Sequence, residues 1–329
     1  MADEDDRMFH PTKLYRQVMD HVGLIPPTST NGSIGKSETF IENFLLETWR
    51  QHNQWQADAL NYLIRANHYE LVFSHLHNID ILGHMFWPLA KEGNHEGTNA
   101  LKYQGYIEQA YIDTDHYLGQ FLPLLEEGWN ILIVSDHGLL IRNHDYPCLG
   151  DPFGVNAKIM NELGYTVLKK DAQGQLLKEI DWSQTRAVAS RGNHIWLNLK
   201  GRQATGIVEP QDQYELEEQL ISDLYAYRDE SGKRIVSVVM RNKEAALVGM
   251  SGPRCGDLIY WLSEGCNRVH GDSLPTYQGY MNSSVSPIFI AAGPGIKPGI
   301  TQRTIRQIDV APTAAVLAHL PMPAQCEGA

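Results

Sequence analysis

Two short apolar runs separated by a long amphipathic helix constrain this chain more than any other feature. Residues 70–74, Glu-Leu-Val-Phe-Ser, centre on β-branched and aromatic side chains and predict a buried strand. Asn130-Ile131-Leu132-Ile133-Val134 predicts a second. Between them, residues 99–127 set Tyr106, Ala110, Tyr111, Leu118, Phe121 and Leu122 at helical spacing, and Gly128 follows as a C-cap glycine would. Strand, long helix, strand is the signature of a parallel sheet covered by helices. The predicted class is α/β, a mostly parallel sheet sandwiched by helices, with an inserted subdomain. Ligands of such sheets bind beyond the carboxyl ends of the strands.

Metal-binding side chains collect at those ends. Asp80 and His84 follow the first run in Asn78-Ile79-Asp80-Ile81-Leu82-Gly83-His84, and being four apart they would share one side of a helical turn. Asp136 and His137 follow the second run in Ser135-Asp136-His137-Gly138, where Gly138 permits the tight backbone that lets neighbours converge. His270 sits in His270-Gly271-Asp272, ahead of a third apolar stretch at residues 287–292. Each motif alone has an ordinary reading: a solvated helix face, a turn, a surface histidine. Together, each placed after a predicted strand or ahead of one, they make the ligand set that divalent zinc or manganese takes. His75 and His77 flank the first strand end and read as core residues or as supports behind the ligands. His144 and His194 read as ordinary polar histidines.

The rest of the chain divides around this core. Residues 1–36 predict a short helix (Lys13 to Val22) and a linker, with Gly32-Ser33-Ile34-Gly35-Lys36-Ser37 too short between its glycines for a phosphate loop. Residues 37–150 and 249–329 form the predicted core, and Asp257 to Leu262 is expected in its sheet. Residues 151–248 are the predicted inserted cap subdomain.

Composition excludes several classes. A net charge of −12 disfavours nucleic-acid and anionic-membrane surfaces, so a phosphate substrate needs a locally positive site, which bound metals would supply. No run approaches the ~20 apolar residues of a membrane span. Cys148, Cys255, Cys266 and Cys326 have no C-x-x-C or framework spacing, and Met1-Ala2-Asp3-Glu4-Asp5-Asp6 is unlike a secretory leader. The expected location is cytoplasmic.

The chain resembles the alkaline phosphatase superfamily, in particular its type I phosphodiesterase/nucleotide pyrophosphatase and predicted phosphohydrolase/phosphomutase branch. Beyond the three motifs, the likeness runs through Phe86-Trp87, Asn198-Leu199-Lys200-Gly201-Arg202, Gly206-Ile207-Val208-Glu209-Pro210 and Gly256-Asp257-Leu258-Ile259. It closes with the run from Ala292 to Gly299 and with Ile308-Asp309-Val310-Ala311-Pro312-Thr313. The resemblance implies an alkaline phosphatase-like fold, two divalent ions with zinc preferred over manganese or iron, and a small phosphate-ester substrate. It implies that Asp80, His84 and His270 hold one ion, and that Asp136 and His137 hold the other. The family completes the second ion with a strand-borne Asp and a Thr or Ser nucleophile. Asp3, Asp5 and Asp6 follow no apolar strand, and Thr28, Ser29 and Thr30 lie in the linker. The expectation is a carboxyl-terminal part of a longer phosphohydrolase, its missing segment supplied by upstream sequence or a second chain. The alternatives are a non-catalytic or partner-dependent subunit, or a sulfatase or phosphomutase of the same superfamily.

Overall fold

A computed structural model describes residues 6–26, 38–90, 99–138, 158–190, 193–263, 266, 287–301 and 305–328. In chain order the helices begin with α1 (Lys13–His21), then α2 (Glu38–Phe40), which runs through a π-helical turn at Ile41–Leu45 into α3 (Leu46–Ala66). There follow α4 (Asn78–Ala90), α5 (Ala100–Gly119), α6 (Pro123–Glu126) and strand β1 (Ile131–Val134). Next come α7 (Lys158–Glu162), β2 (Leu168–Lys170), β3 (Leu176–Ile180), β4 (Ala187–Ser190), β5 (His194–Leu197), α8 (Gln213–Ala226), β6 (Val236–Arg241) and β7 (Leu258–Leu262). The chain closes with β8 (Phe289–Ala292) and α9 (Val310–Leu317). These elements form two compact units, Met1–Leu139 with Pro287–Ala329, and Leu140–Ser286.

The first unit is built on helical stripes. Along α5, Tyr103, Tyr106, Ile107 and Ala110 recur at helical spacing and are buried. They meet Leu82, Phe86 and Ala90, one turn apart on α4, and Leu45, Leu46 and Trp49 at the start of α3. Phe86, Tyr103 and Tyr106 pack with ring centroids 5.4–5.8 Å apart, the two tyrosines edge to face, each pair adding about 0.5–1.5 kcal/mol beyond area burial. Asn99 caps α5 by accepting from Lys102 N. The single helix expected over residues 99–127 stops at Gly119, and Pro123 opens α6, the position its fixed φ suits. Tyr111 and Leu122, expected on the core stripe, are exposed.

The sheet differs from expectation. The chain is α/β, but every described strand pairing is antiparallel. β1 pairs with β8 in the register Ile131↔Ala292 to Val134↔Phe289. Residues 71–77 form no strand among the described residues. An extended segment becomes a strand only when a neighbour takes its backbone groups. Here the anchors are side-chain contacts, Gln56 to Ser74 Oγ and His75 O, and Ser74 Oγ to the Tyr117 hydroxyl.

The second unit carries an antiparallel sheet in the order β4-β5-β7-β6. Ala187, Ala189, Ile195 and Leu197 alternate inward, and α8 buries Leu216, Leu220 and Leu224 against them. β7 (Leu258–Leu262), expected in the sheet of the predicted core, lies instead between β5 and β6 in this second sheet. Its residues are buried on both faces, so it is a central strand, not an edge.

The polar residues around β7 explain several of the family-like motifs. Arg202 grips both carboxylate oxygens of Asp257 at 2.6 Å, and Asp257 also accepts from Leu197 N at 2.7 Å. Asn198 donates to the carbonyls of Trp182, Thr185 and Thr205. A Cβ at Gly206 would lie 2.1 Å from Leu199 O, so only glycine fits where those segments cross.

Leu220 is fully buried, whereas Leu247 is 90% exposed. Leu220→Ala should lower stability by about 2–5 kcal/mol, and Leu247→Ala by under ~0.5 kcal/mol, in denaturant titrations. Equal losses would contradict the placement of this core.

Candidate active site

The start of α4 and the turn after β1 bring carboxylate and imidazole groups together in the first unit. Asp80 stands in the first turn of α4, where the helix's free N–H groups favour a negative charge. His84 lies one turn further, with Nε2 3.1 Å from Asp80 Oδ1. His137 comes from the other element, with Nε2 3.7 Å from the same Oδ1 and 3.5 Å from Asp136 Oδ2. The third imidazole beside Asp80 is that of His77, whose Nε2 lies 2.9 Å from Asp80 Oδ2. His270 lies outside the described residues, as does His144. His194 is half-buried in β5, and burial lowers its pKa.

The turn that carries Asp136 and His137 is tied from three directions. Ser135 N donates to Ile288 O at 3.2 Å, continuing the β1–β8 ladder. Ser135 Oγ donates to His137 O at 2.6 Å, and His137 Nδ1 lies 2.9 Å from Gly138 O. Gln307 Nε2 donates to the carbonyls of Ser135, at 3.0 Å, and Asp136. Gln307 is 171 residues from Asp136, and no local pattern in the sequence marks it. The contact of His77, by contrast, follows from its spacing of three from Asp80 across a helix start.

Electrostatics distinguish the two carboxylates. The Asp136 side chain is 83% exposed, and that of Asp80 only 23%. Burial works against the Asp80 charge. The hydrogen bond from His84 and the charges of His84, His77 and His137 outweigh it, bringing the pKa from 3.8 down to about 2.

Among the described residues no group of three or more His, Cys, Asp or Glu is arranged so as to hold a metal ion by itself. The donor chemistry nevertheless suits one, since neutral imidazole nitrogens and carboxylate oxygens are what zinc binds.

The family model for type I phosphodiesterase / nucleotide pyrophosphatase matches residues 11–284. The chain belongs to this family. Among solved structures, this family member is similar to the wild-type alkaline phosphatase PafA, with a TM-score of 0.56, 15% identity, and coverage of 98% of this chain and 64% of that one. A PafA variant with four substitutions gives a TM-score of 0.53 and 16% identity over 88% of this chain and 52% of that one. At such identities the likeness is one of fold, and it establishes the alkaline phosphatase-like α/β architecture. The chain spans about half to two-thirds of the length of these neighbours. No curated protein matches it.

The low pKa of Asp80 makes the metal-free protein sensitive to acid. A depressed carboxyl pKa contributes stability that is complete above 3.8 and is lost as pH falls towards about 2. Asp80→Asn should therefore cost about 1–2 kcal/mol at pH 5 and reduce the loss of stability between pH 4 and pH 2. An unchanged pH profile would contradict the ion pairs described.

Proposed function

We propose that the chain is a metal-dependent phosphoric ester hydrolase, acting on small phosphate diesters or nucleotide-type pyrophosphates. The observation that carries this reading is the convergence of His84 and His137, from two elements, on one oxygen of a strongly ionised aspartate, in a chain of the phosphodiesterase family. His84 would be a neutral nitrogen donor. Asp80 would contribute one oxygen and one negative charge to the same ion, completed by His270. Asp136 and His137 would serve a second ion. The 3.5 and 3.7 Å contacts of His137 to Asp136 and Asp80 bring the two ligand groups close enough for a paired site. Zinc is the preferred ion, with manganese or iron as substitutes. When bound, such ions stabilise the charge of a phosphoryl group and lower the pKa of a coordinated nucleophile.

The protein's own contribution is preorganisation. Asp80 supplies a negative charge that would help hold the cations. The hydrogen bonds on the Ser135–Gly138 turn fix where His137 stands, so little reorganisation is left to the reaction. Asp136 is largely in solvent.

The test is hydrolysis of bis(p-nitrophenyl) phosphate, p-nitrophenyl phosphate and p-nitrophenyl sulfate by zinc-loaded protein. Turnover should favour the diester, Asp80→Ala or His137→Ala should lower it at least ~100-fold, and a chain inactive on all three esters would favour the non-catalytic or partner-dependent reading. Preference for the sulfate ester would instead favour the sulfatase reading. Turnover unchanged in both variants would contradict the site.

A further inference from the structure

We propose that the first unit carries a further binding site, a cleft where α3 and α9 end, that takes a small organic cation with an apolar body. The cleft has a volume of about 440 Å³, within the range of small-molecule sites. Ile64, Tyr69, Glu70, Leu71, Trp129 and Leu320 line it. Trp129 stands just ahead of β1, so that strand separates the cleft from the turn that carries Asp136 and His137.

Three bends of the chain fix the walls. Asn67 leaves α3 with extended backbone, and its N–H and its side-chain amide both donate to Leu63 O at 3.1 Å. Trp129 N donates to Leu124 O at 3.0 Å behind α6, and Leu320 N to Ala315 O at 2.8 Å behind α9. Walls held before a ligand arrives lower the cost of binding it. Ile64, Leu71 and Leu320 offer the apolar surface, and Leu71 is 52% exposed.

The electrostatics of the cleft favour a cation. Among the described residues that line it, Glu70 is the one carboxylate and there is no Lys or Arg. The adjacent Arg65 is already paired with Glu127 at 2.9 Å. The carboxyl ends of α3 and α9 bring partial negative charge. Tyr69 and Trp129 add aromatic rings, whose faces attract ammonium groups. The net charge of −12 acts in the same direction at longer range.

The test is a ligand-observed NMR titration with 2-phenylethylammonium and with 2-phenylethanol, its uncharged match in size, on wild type, Glu70→Gln and Trp129→Leu. His68 also lines the cleft, so low salt and pH 8 are used, where imidazoles are neutral. Thermal melts check folding, and Glu70 is exposed, so its replacement spares the core. The ammonium should bind with a Kd below about 5 mM, and the alcohol at least ~5-fold more weakly. Glu70→Gln should weaken the ammonium about 3–10-fold and leave the alcohol unchanged. Trp129→Leu should weaken the ammonium about 2–5-fold. Equal affinity for the two ligands would overturn the cation preference. No binding of the ammonium at about 20 mM, or binding that neither variant alters, would overturn the site.

Discussion

The Asp80 carboxylate is the junction on which the site depends. Asp80 is largely buried, where its charge is costly, and that charge survives because imidazoles from the start of α4 and from the turn after β1 surround it. Two segments more than fifty residues apart thereby acquire a common electrostatic centre. Without His84 and His137, burial would push the carboxyl pKa up.

Packing sets where that junction stands. Leu82 and Phe86 on α4 lock into Tyr103 and Tyr106 on α5, on the same helix that carries Asp80 and His84. The second element is placed by the β1–β8 ladder and by Gln307, which reaches the turn carbonyls from just ahead of α9. Apolar burial positions α4, and backbone hydrogen bonding positions the turn. In the second unit the same division appears: a buried sheet and α8 supply the bulk, and the Arg202–Asp257 pair with Asn198 joins the loops. Those residues carry the family likeness in the sequence and join the loops in the fold.

The sequence marked the residues that meet in the first unit better than it marked the topology. Asp80, His84, Asp136 and His137 stand out because carboxylates and imidazoles at the ends of apolar runs are easy to see. The α/β class was legible too, since helical and strand periodicities differ. Pairing was not. A run such as Leu71-Val72-Phe73 carries strand propensity, but a strand exists only with a partner, and propensity does not name one. The same ambiguity hid β7, whose apolar residues suit any buried central strand and which joined β5 and β6. Helix α5 ended early because Pro123 begins a new helix more readily than it continues one. Gln307 left no trace because a backbone-directed amide needs no motif.

The most direct test of the account is zinc-edge X-ray absorption on the zinc-loaded chain. The account predicts a first shell of nitrogen and oxygen at ~2.0–2.1 Å, with the outer-shell scattering of imidazole, which is lost in Asp80→Ala. A sulfur shell near ~2.3 Å would place the ion on cysteines instead and contradict the assignment of Asp80, His84, Asp136 and His137 as the metal-binding centre.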